Sequence, residues 1–488
     1  PEECSVRRRP LLVLASAVAL LAGAGVSSAA DPPLPVPPVV PATGLDVKSD
    51  NVTHVGTVPV EGVGVSMKVV KVGKQVRAFV SGAAGLSIYD ATDPAAPLLL
   101  GHLPLYNWEN EDIAVSADGS TAILTEFQGT LYLHVVDVSD PSLPRITGSI
   151  VPGGAHTVVC ADPACGYLYG SEGQTYDIRD RTHPVELPAA QSWGVLTGAG
   201  TRGHNLHQDA SGTWISDTSP LVVFRQVKGD PLRLQVLTRG EITRGTGYQH
   251  NNVRPRAELY RPRAKAASLG GPLRPGELLL GNGETNFTGV CDGGSGAFST
   301  WSMAGFDKGA PMRQLDVLRP VSGDYANGDP AVNGLGCSGH WFTEKTAKDG
   351  SVLVTAAWYE HGTRFLEVDP RTGKIRQVGF YQPVRGSTSQ AYWMPGTDYV
   401  WAIDYHSGID ILRFDQSAAA PTTAQVDASW LAKAGVVDPV SELLRSVCRA
   451  GGRMSDQQHG RLHELAPDAD SAPAVVFVGQ LASLNHTG

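Results

Sequence analysis

Between residues 52 and 414, apolar and polar side chains alternate over short runs that end at Gly, Asp or Pro. That is the pattern of half-buried strands joined by tight turns. No long helical period interrupts it. One run recurs: GLSIYDATDP is echoed by TLYLHVVDVSDP, QTYDIRDRTHP and GTRFLEVDP, each closing one β-unit. Self-similarity at a period of roughly 40 residues is the mark of a propeller or solenoid. Aligning on the strand before each turn divides the chain into about seven units, which begin near Ser66, Asp112, His156, His204, His250, His340 and Gln390. The expected fold is therefore all-β, a seven-bladed β-propeller. The last unit has only three strands (AYWM, YVWAID, GIDILRF), and a lone strand over residues 54–60 precedes the first unit without partners. That early strand is expected to complete the last blade and close the ring, which removes the exposed edges of an open array. Units four (LVVFRQVKGDP) and five (interrupted by inserted segments) depart from the repeat, so the pattern places their outer strands least sharply.

The flanks read differently. Residues 1–30 carry Arg7, Arg8 and Arg9, an apolar run over 11–21 and then Ser27-Ser28-Ala29-Ala30, the zones of an export signal peptide. The run is about half of the roughly 20 apolar residues needed to span a bilayer, so no integral membrane span is expected after cleavage. The arginines suit general or twin-arginine export alike. Residues 31–50 form a Pro-rich linker, 51–415 the propeller, 416–450 a short C-terminal helical appendage in which Ser441 and Glu442 precede an apolar helical spacing, and 451–488 a polar, aperiodic tail expected to be disordered. The expected location is secreted or cell-surface associated.

Composition adds two constraints. With 42% hydrophobic and 18% charged residues, 56 Gly and 34 Pro, the 488-residue chain can bury a large core and still turn often. A net charge of -9 and the lack of an aromatic-interleaved basic stripe exclude nucleic acid as an expected partner. Of the six cysteines, Cys4 leaves with the leader. Cys160 and Cys165 bracket a short turn suited to a hairpin disulfide. A metal pair normally needs a second pair nearby.

In a propeller, the start of each innermost strand and the hairpin between its second and third strands share one end of the channel. The first offset gives Asp112, His156, His204, His250 and His340; the second gives Glu126, Glu172, Asp217, Glu284, Glu360 and Asp404, with His361 and His406 beside the last two. Imidazoles from adjacent blades suit a transition metal such as iron, copper or zinc, and nearby carboxylates can orient the rings or act as acid and base. The expected metal ligands are His156, His204, His250 and His340, and the expected orienting or catalytic acids are Glu126, Glu172, Glu284 and Glu360. The alternative for any one histidine is a hydrogen bond between blades. For a carboxylate-rich mouth it is calcium, as in a propeller lactonase. His207 falls deeper on its strand and is set aside, and His54, His102, His134 and His183 are expected to be merely solvent-exposed. Cys291, in an insert of unit five, and Cys337, just before His340, are expected to form a disulfide beside the site. The Arg-rich insert over 254–274 is expected to be a solvated loop. Trp108, Trp358, Trp393 and Tyr405 fall near the mouth and suit core packing or sugar stacking.

GLSIYDATDPAAP and LHVVDVSDPSLP resemble the LVIVD repeat of secreted bacterial β-propellers, and CSGHWF with WYEHGTRFLEVDP resembles the later blades of actinobacterial members. The resemblance covers residues 52–415 and implies a propeller without a settled activity. The four-histidine iron centre of carotenoid-cleaving propellers is a geometric analogy at the level of fold alone. Two functions are compatible with the sequence: a metal- or small-ligand-binding propeller supporting a metal-dependent oxidation or hydrolysis, and a non-catalytic extracellular scaffold for a protein or glycan.

Overall fold

The computed structural model describes residues 47–419 except 61–62, 108–109, 127–130, 201–202, 218–220, 241–247, 264–270, 285–290, 292–295, 321–334, 348 and 384–385. The expected leader, most of the expected linker and C-terminal appendage, Cys448, the tail and Trp108 lie outside the described residues.

Seven antiparallel sheets form a ring of seven blades. Their innermost strands are Gly64–Val72, Ala114–Val115, Val158–Cys160, Leu206–Gln208, Tyr248–Val253, Phe342–Thr346 and Thr388–Trp393. Each packs against the next, and the seventh returns to the first. The ring closes as the unpartnered early strand requires: Val52–Val58 pairs antiparallel with Gly408–Phe414 as the outermost strand of blade 7. Val47–Lys48, within the expected linker, pairs with Ile375–Gln382 and adds a fifth strand to blade 6. The outer strands of the two irregular units, Asp230–Gly240 and Arg313–Leu318, pair in regular order with their blades.

Alternation on each strand buries one set of side chains against the blade before and one against the blade after. The apolar core is accordingly divided into seven clusters, one at each junction between adjacent blades. Trp401 packs with Met67, Val80 and Tyr89 where blade 7 meets blade 1, and Trp301 with Ile215 and Val223 between blades 4 and 5. Trp358 and Trp393 belong to the core. No helix among the described residues is long and apolar enough to cross a membrane. Disulfides join Cys160 to Cys165 and Cys291 to Cys337, which fits an oxidising environment.

The Arg-rich insert departs from expectation. Arg254 is fully buried, paired with Asp209 at 2.6 Å, and lies over the rings of Tyr260 and Phe306. Arg263 pairs with buried Glu277 at 2.5 Å. These guanidiniums anchor the described part of the insert instead of facing solvent. His54 is also tucked in, against the Tyr381 ring and 3.4 Å from Asp410. His183 is exposed, and His102 and His134 hydrogen-bond to Ser87 and Ser149 of their own sheets.

Candidate metal centre

At one end of the channel, the chain just ahead of the inner strands of blades 2, 4 and 6 is tied to neighbouring blades. The Asn110 carbonyl accepts hydrogen bonds from Ser66 and Ser81, which fixes the segment that carries Glu111. Thr157 donates to the His204 carbonyl at 2.6 Å, and Asn282 donates to the His340 carbonyl at 2.7 Å. These bonds satisfy backbone groups that the short strands leave open.

The result is a cluster of four imidazoles about one carboxylate. Oε2 of Glu111 lies 3.3 Å from Nε2 of His156, 3.3 Å from His204, 3.1 Å from His250 and 3.4 Å from His340. His156 and His204 bring their Nε2 atoms to 3.1 Å of each other. The rings of His204 and His250 are 3.8 Å apart, and those of His250 and His340 4.1 Å. His250 and His340 are fully buried. The buried Trp341 indole stands edge-on to His250 at 4.9 Å.

His340 has a defined tautomer. Its Nδ1 lies 2.6 Å from the carbonyl oxygen of Ser389, which can only accept, so Nδ1 carries the proton. In a neutral ring, Nε2 then points a lone pair toward the Glu111 carboxylate. That Nε2 is buried without a hydrogen-bond partner.

Burial opposes ionisation of Glu111, but the neighbouring His156, His340 and His204 outweigh it and hold the carboxyl well below its ordinary range. Burial, with His204 and His340 adding to it, pushes His250 well down. Burial also works against charging His340, yet Glu111, Glu284 and the Ser389 carbonyl raise it.

Of the four expected acids, Glu284 reaches the cluster: Oε2 lies 3.9 Å from His250 Nε2, and Oε1 accepts the Tyr359 hydroxyl at 2.6 Å. Burial first, and then Glu284, raise Tyr359 well above its usual value, so the phenol keeps its proton and donates. The other three accept from backbone N–H groups. Glu126 accepts from Leu131 N–H, Glu360 from Leu335 and Gly336 N–H, and Glu172 from Ser171 and the His156 N–H, by which it braces one ring-bearing residue. Asp217, forced well up by burial, accepts from Asn252.

The register of the repeat selects Asp112 rather than Glu111. Asp112 occupies the aligned position, two residues before its strand, but its carboxylate turns to Lys68 of blade 1 at 3.4 Å. The longer side chain one residue earlier reaches the histidines. Tyr359 and Ser389 carried no signal in the repeat. His207 is half-buried on its strand, where desolvation lowers it to about 4, and it takes no part in the cluster. Among the described residues, His361 lies in a separate group with the disulfide sulfurs of Cys291 and Cys337.

Asp404, beside the mouth on blade 7, supplies a pH test. Burial, and then the neighbouring Asp410 carboxylate, push it up to about 7. The folded chain thus retains a proton that the unfolded chain releases near ~3.9. The stability supplied by that proton is complete below about pH 4 and is lost as pH rises through about 7. Asp404→Asn is expected to flatten this decline in melting temperature. An unchanged pH profile in the variant would show that Asp404 is already ionised across the range.

No protein-family model matches the sequence, and no curated protein matches it. Among solved structures, the chain is similar to the β-propeller domain of Myceliophteria thermophila Cps50 (Swd1), with 11% identity, TM-score 0.48, and 74% of this chain and 99% of that one covered. It is also similar to a putative 6-phosphogluconolactonase from Bacteroides uniformis, with 12% identity, TM-score 0.45, and 69% and 90% covered. A third likeness is to a chain of the mitotic checkpoint complex, with 11% identity, TM-score 0.43, and 83% and 100% covered.

Proposed function

We propose that this propeller binds one transition-metal ion at the channel mouth through Nε2 of His156, His204, His250 and His340 and a carboxylate oxygen of Glu111. The observation that carries the reading is His340. With Nδ1 committed to the Ser389 carbonyl, the neutral ring turns an Nε2 lone pair on Glu111 Oε2 at 3.4 Å, a buried contact of two acceptors that a proton or a metal cation must bridge. His156 and His204 bring two more Nε2 atoms to 3.1 Å of each other beside the same carboxylate. One carboxylate charge can balance one imidazolium, not four, whereas a cation satisfies every lone pair at once.

The spacings agree with this. For bonds of ~2.1 Å, neighbouring ligands on a metal are about 3.0 to 3.4 Å apart. The four nitrogen–oxygen separations and the His156–His204 contact span 3.1–3.4 Å. A nitrogen-rich set favours iron, copper or zinc over calcium, which takes oxygen ligands. The Ser389 carbonyl and Glu172 serve as outer supports that hold His340 and His156 in place. A bound ion with an open position polarises a small ligand or activates water, the chemistry of metal-dependent oxidation or hydrolysis. In this reading the protein acts after export, on a small molecule that enters the mouth.

Elemental analysis of untagged protein tests the proposal. One equivalent of a single transition metal per chain is expected, with a higher melting temperature in the loaded form because the ion binds only the folded state. Protein that stays metal-free after incubation with iron, copper and zinc, and melts at the same temperature throughout, would overturn it.

A further inference from the structure

The turn after the second strand of blade 6 has an uncommon backbone. Tyr359 has φ 26°, a conformation rarely adopted by side chains other than glycine. Two bonds hold it there: its carbonyl accepts from Gly362 N–H at 2.9 Å within the turn and from Thr388 N–H of blade 7 at 2.8 Å. The phenol is thereby delivered across to blade 5, where it donates to Oε1 of Glu284 at 2.6 Å, while its ring lies 4.6 Å from His340. Three blades thus cooperate to fix one carboxylate.

The fixed carboxylate stands just outside the proposed coordination sphere. Glu284 Oε2 is 3.9 Å from His250 Nε2, longer than the 3.1 Å between that nitrogen and Glu111. One of its oxygens also comes within 4.8 Å of ring nitrogens of both His204 and His250. Its side chain is 16% exposed against 7% for Glu111, so it lies toward the open side of the centre. A carboxylate there accepts hydrogen bonds and repels negative charge.

We infer that Glu284, steered by Tyr359, restricts the remaining coordination position to a neutral ligand that donates a hydrogen bond: water, an alcohol or an amine. This rests on the metal reading above and adds the chemical class of the ligand. A carboxylate charge beside the centre disfavours an anion there by about tenfold or more, while a hydroxyl or amine bound to the metal gains an acceptor.

Azide binding to the copper(II)-loaded protein, followed by its charge-transfer absorbance, tests the inference. Glu284→Gln is expected to keep its copper and to bind azide at least about tenfold more tightly than the parent chain. Tyr359→Phe, which frees the carboxylate to swing away, is expected to move azide affinity in the same direction by a smaller factor. Copper retained with unchanged azide affinity in Glu284→Gln would overturn the inference and leave the metal centre standing. Copper lost from Glu284→Gln would make Glu284 a ligand and overturn the assignment too. Failure of the parent chain to take up copper, iron or zinc would sink the metal reading and this inference with it.

Discussion

Replacing His250 and His340 together by alanine is expected to weaken metal binding by at least about a thousandfold. Loss of a mere outer partner costs ~10–100-fold at a metal site, and this change removes two of five proposed ligands. Both rings are fully buried, and they contribute the 3.1 Å and 3.4 Å contacts to Glu111. Their removal leaves that carboxylate buried with only His156 and His204 beside it, so the metal-free variant should also unfold more readily. Competition titration against a chromophoric chelator reads the affinity, and elemental analysis reads the stoichiometry. His183→Ala, which changes an exposed turn, serves as a control that keeps its metal. A double variant that retains one equivalent at the parent affinity would place any bound ion elsewhere.

Much of this architecture is legible in the sequence because propeller geometry converts a linear offset into a position on a rim. His156, His204 and His340 each stand two residues before an innermost strand, so aligning the strands aligns the rings. His250 lies within its strand, yet it meets the others because the ladder of blade 5 shifts register between Gln249 and Asn251. The same rule fails at blade 2. There the inner strand is only Ala114–Val115, and the preceding loop, not the ladder, decides which acid faces the axis. Position alone selects Asp112; the pull of Lys68 on Asp112 and the extra reach of glutamate select Glu111. No one-dimensional pattern holds that choice, because Lys68 sits 44 residues away on another blade.

The second carboxylate offset shows a related limit. Glu126, Glu172, Glu284 and Glu360 all fall at the ends of second strands, where the turn to the third strand exposes backbone N–H groups that need acceptors. Glu126 supplies that need in its own turn, through Leu131, whereas Glu172 accepts from His156 and Glu360 from Leu335 and Gly336, ahead of the innermost strands of their blades. Glu284 points to the axis because Tyr359, from the next blade, holds its other oxygen. The repeat therefore predicts which end of the channel carries the acids but not which acid faces inward.

Arg254→Ala is expected to destabilise the folded chain by about 3–5 kcal/mol, the cost of breaking a buried pair and leaving one charge without its partner. The composition of residues 254–274 suggested a solvated loop, but the guanidinium is locked in. It donates to Asp209 at 2.6 Å and to the Gly276 carbonyl at 2.6 Å, and it lies 4.7 Å and 4.5 Å from the Tyr260 and Phe306 ring centres. Both partners of the ion pair have fully buried side chains. Asp209 Oδ1 already accepts from Ser211 and Thr213, so Asp209→Asn can keep those bonds through its amide oxygen while removing the charge. The double variant Arg254→Ala with Asp209→Asn should therefore be more stable than Arg254→Ala alone, by about 1–3 kcal/mol. Urea unfolding of the three chains measures both differences. A loss below about 1 kcal/mol for Arg254→Ala would match an exposed pair, and the insert would then be held by its apolar contacts rather than by the buried charge.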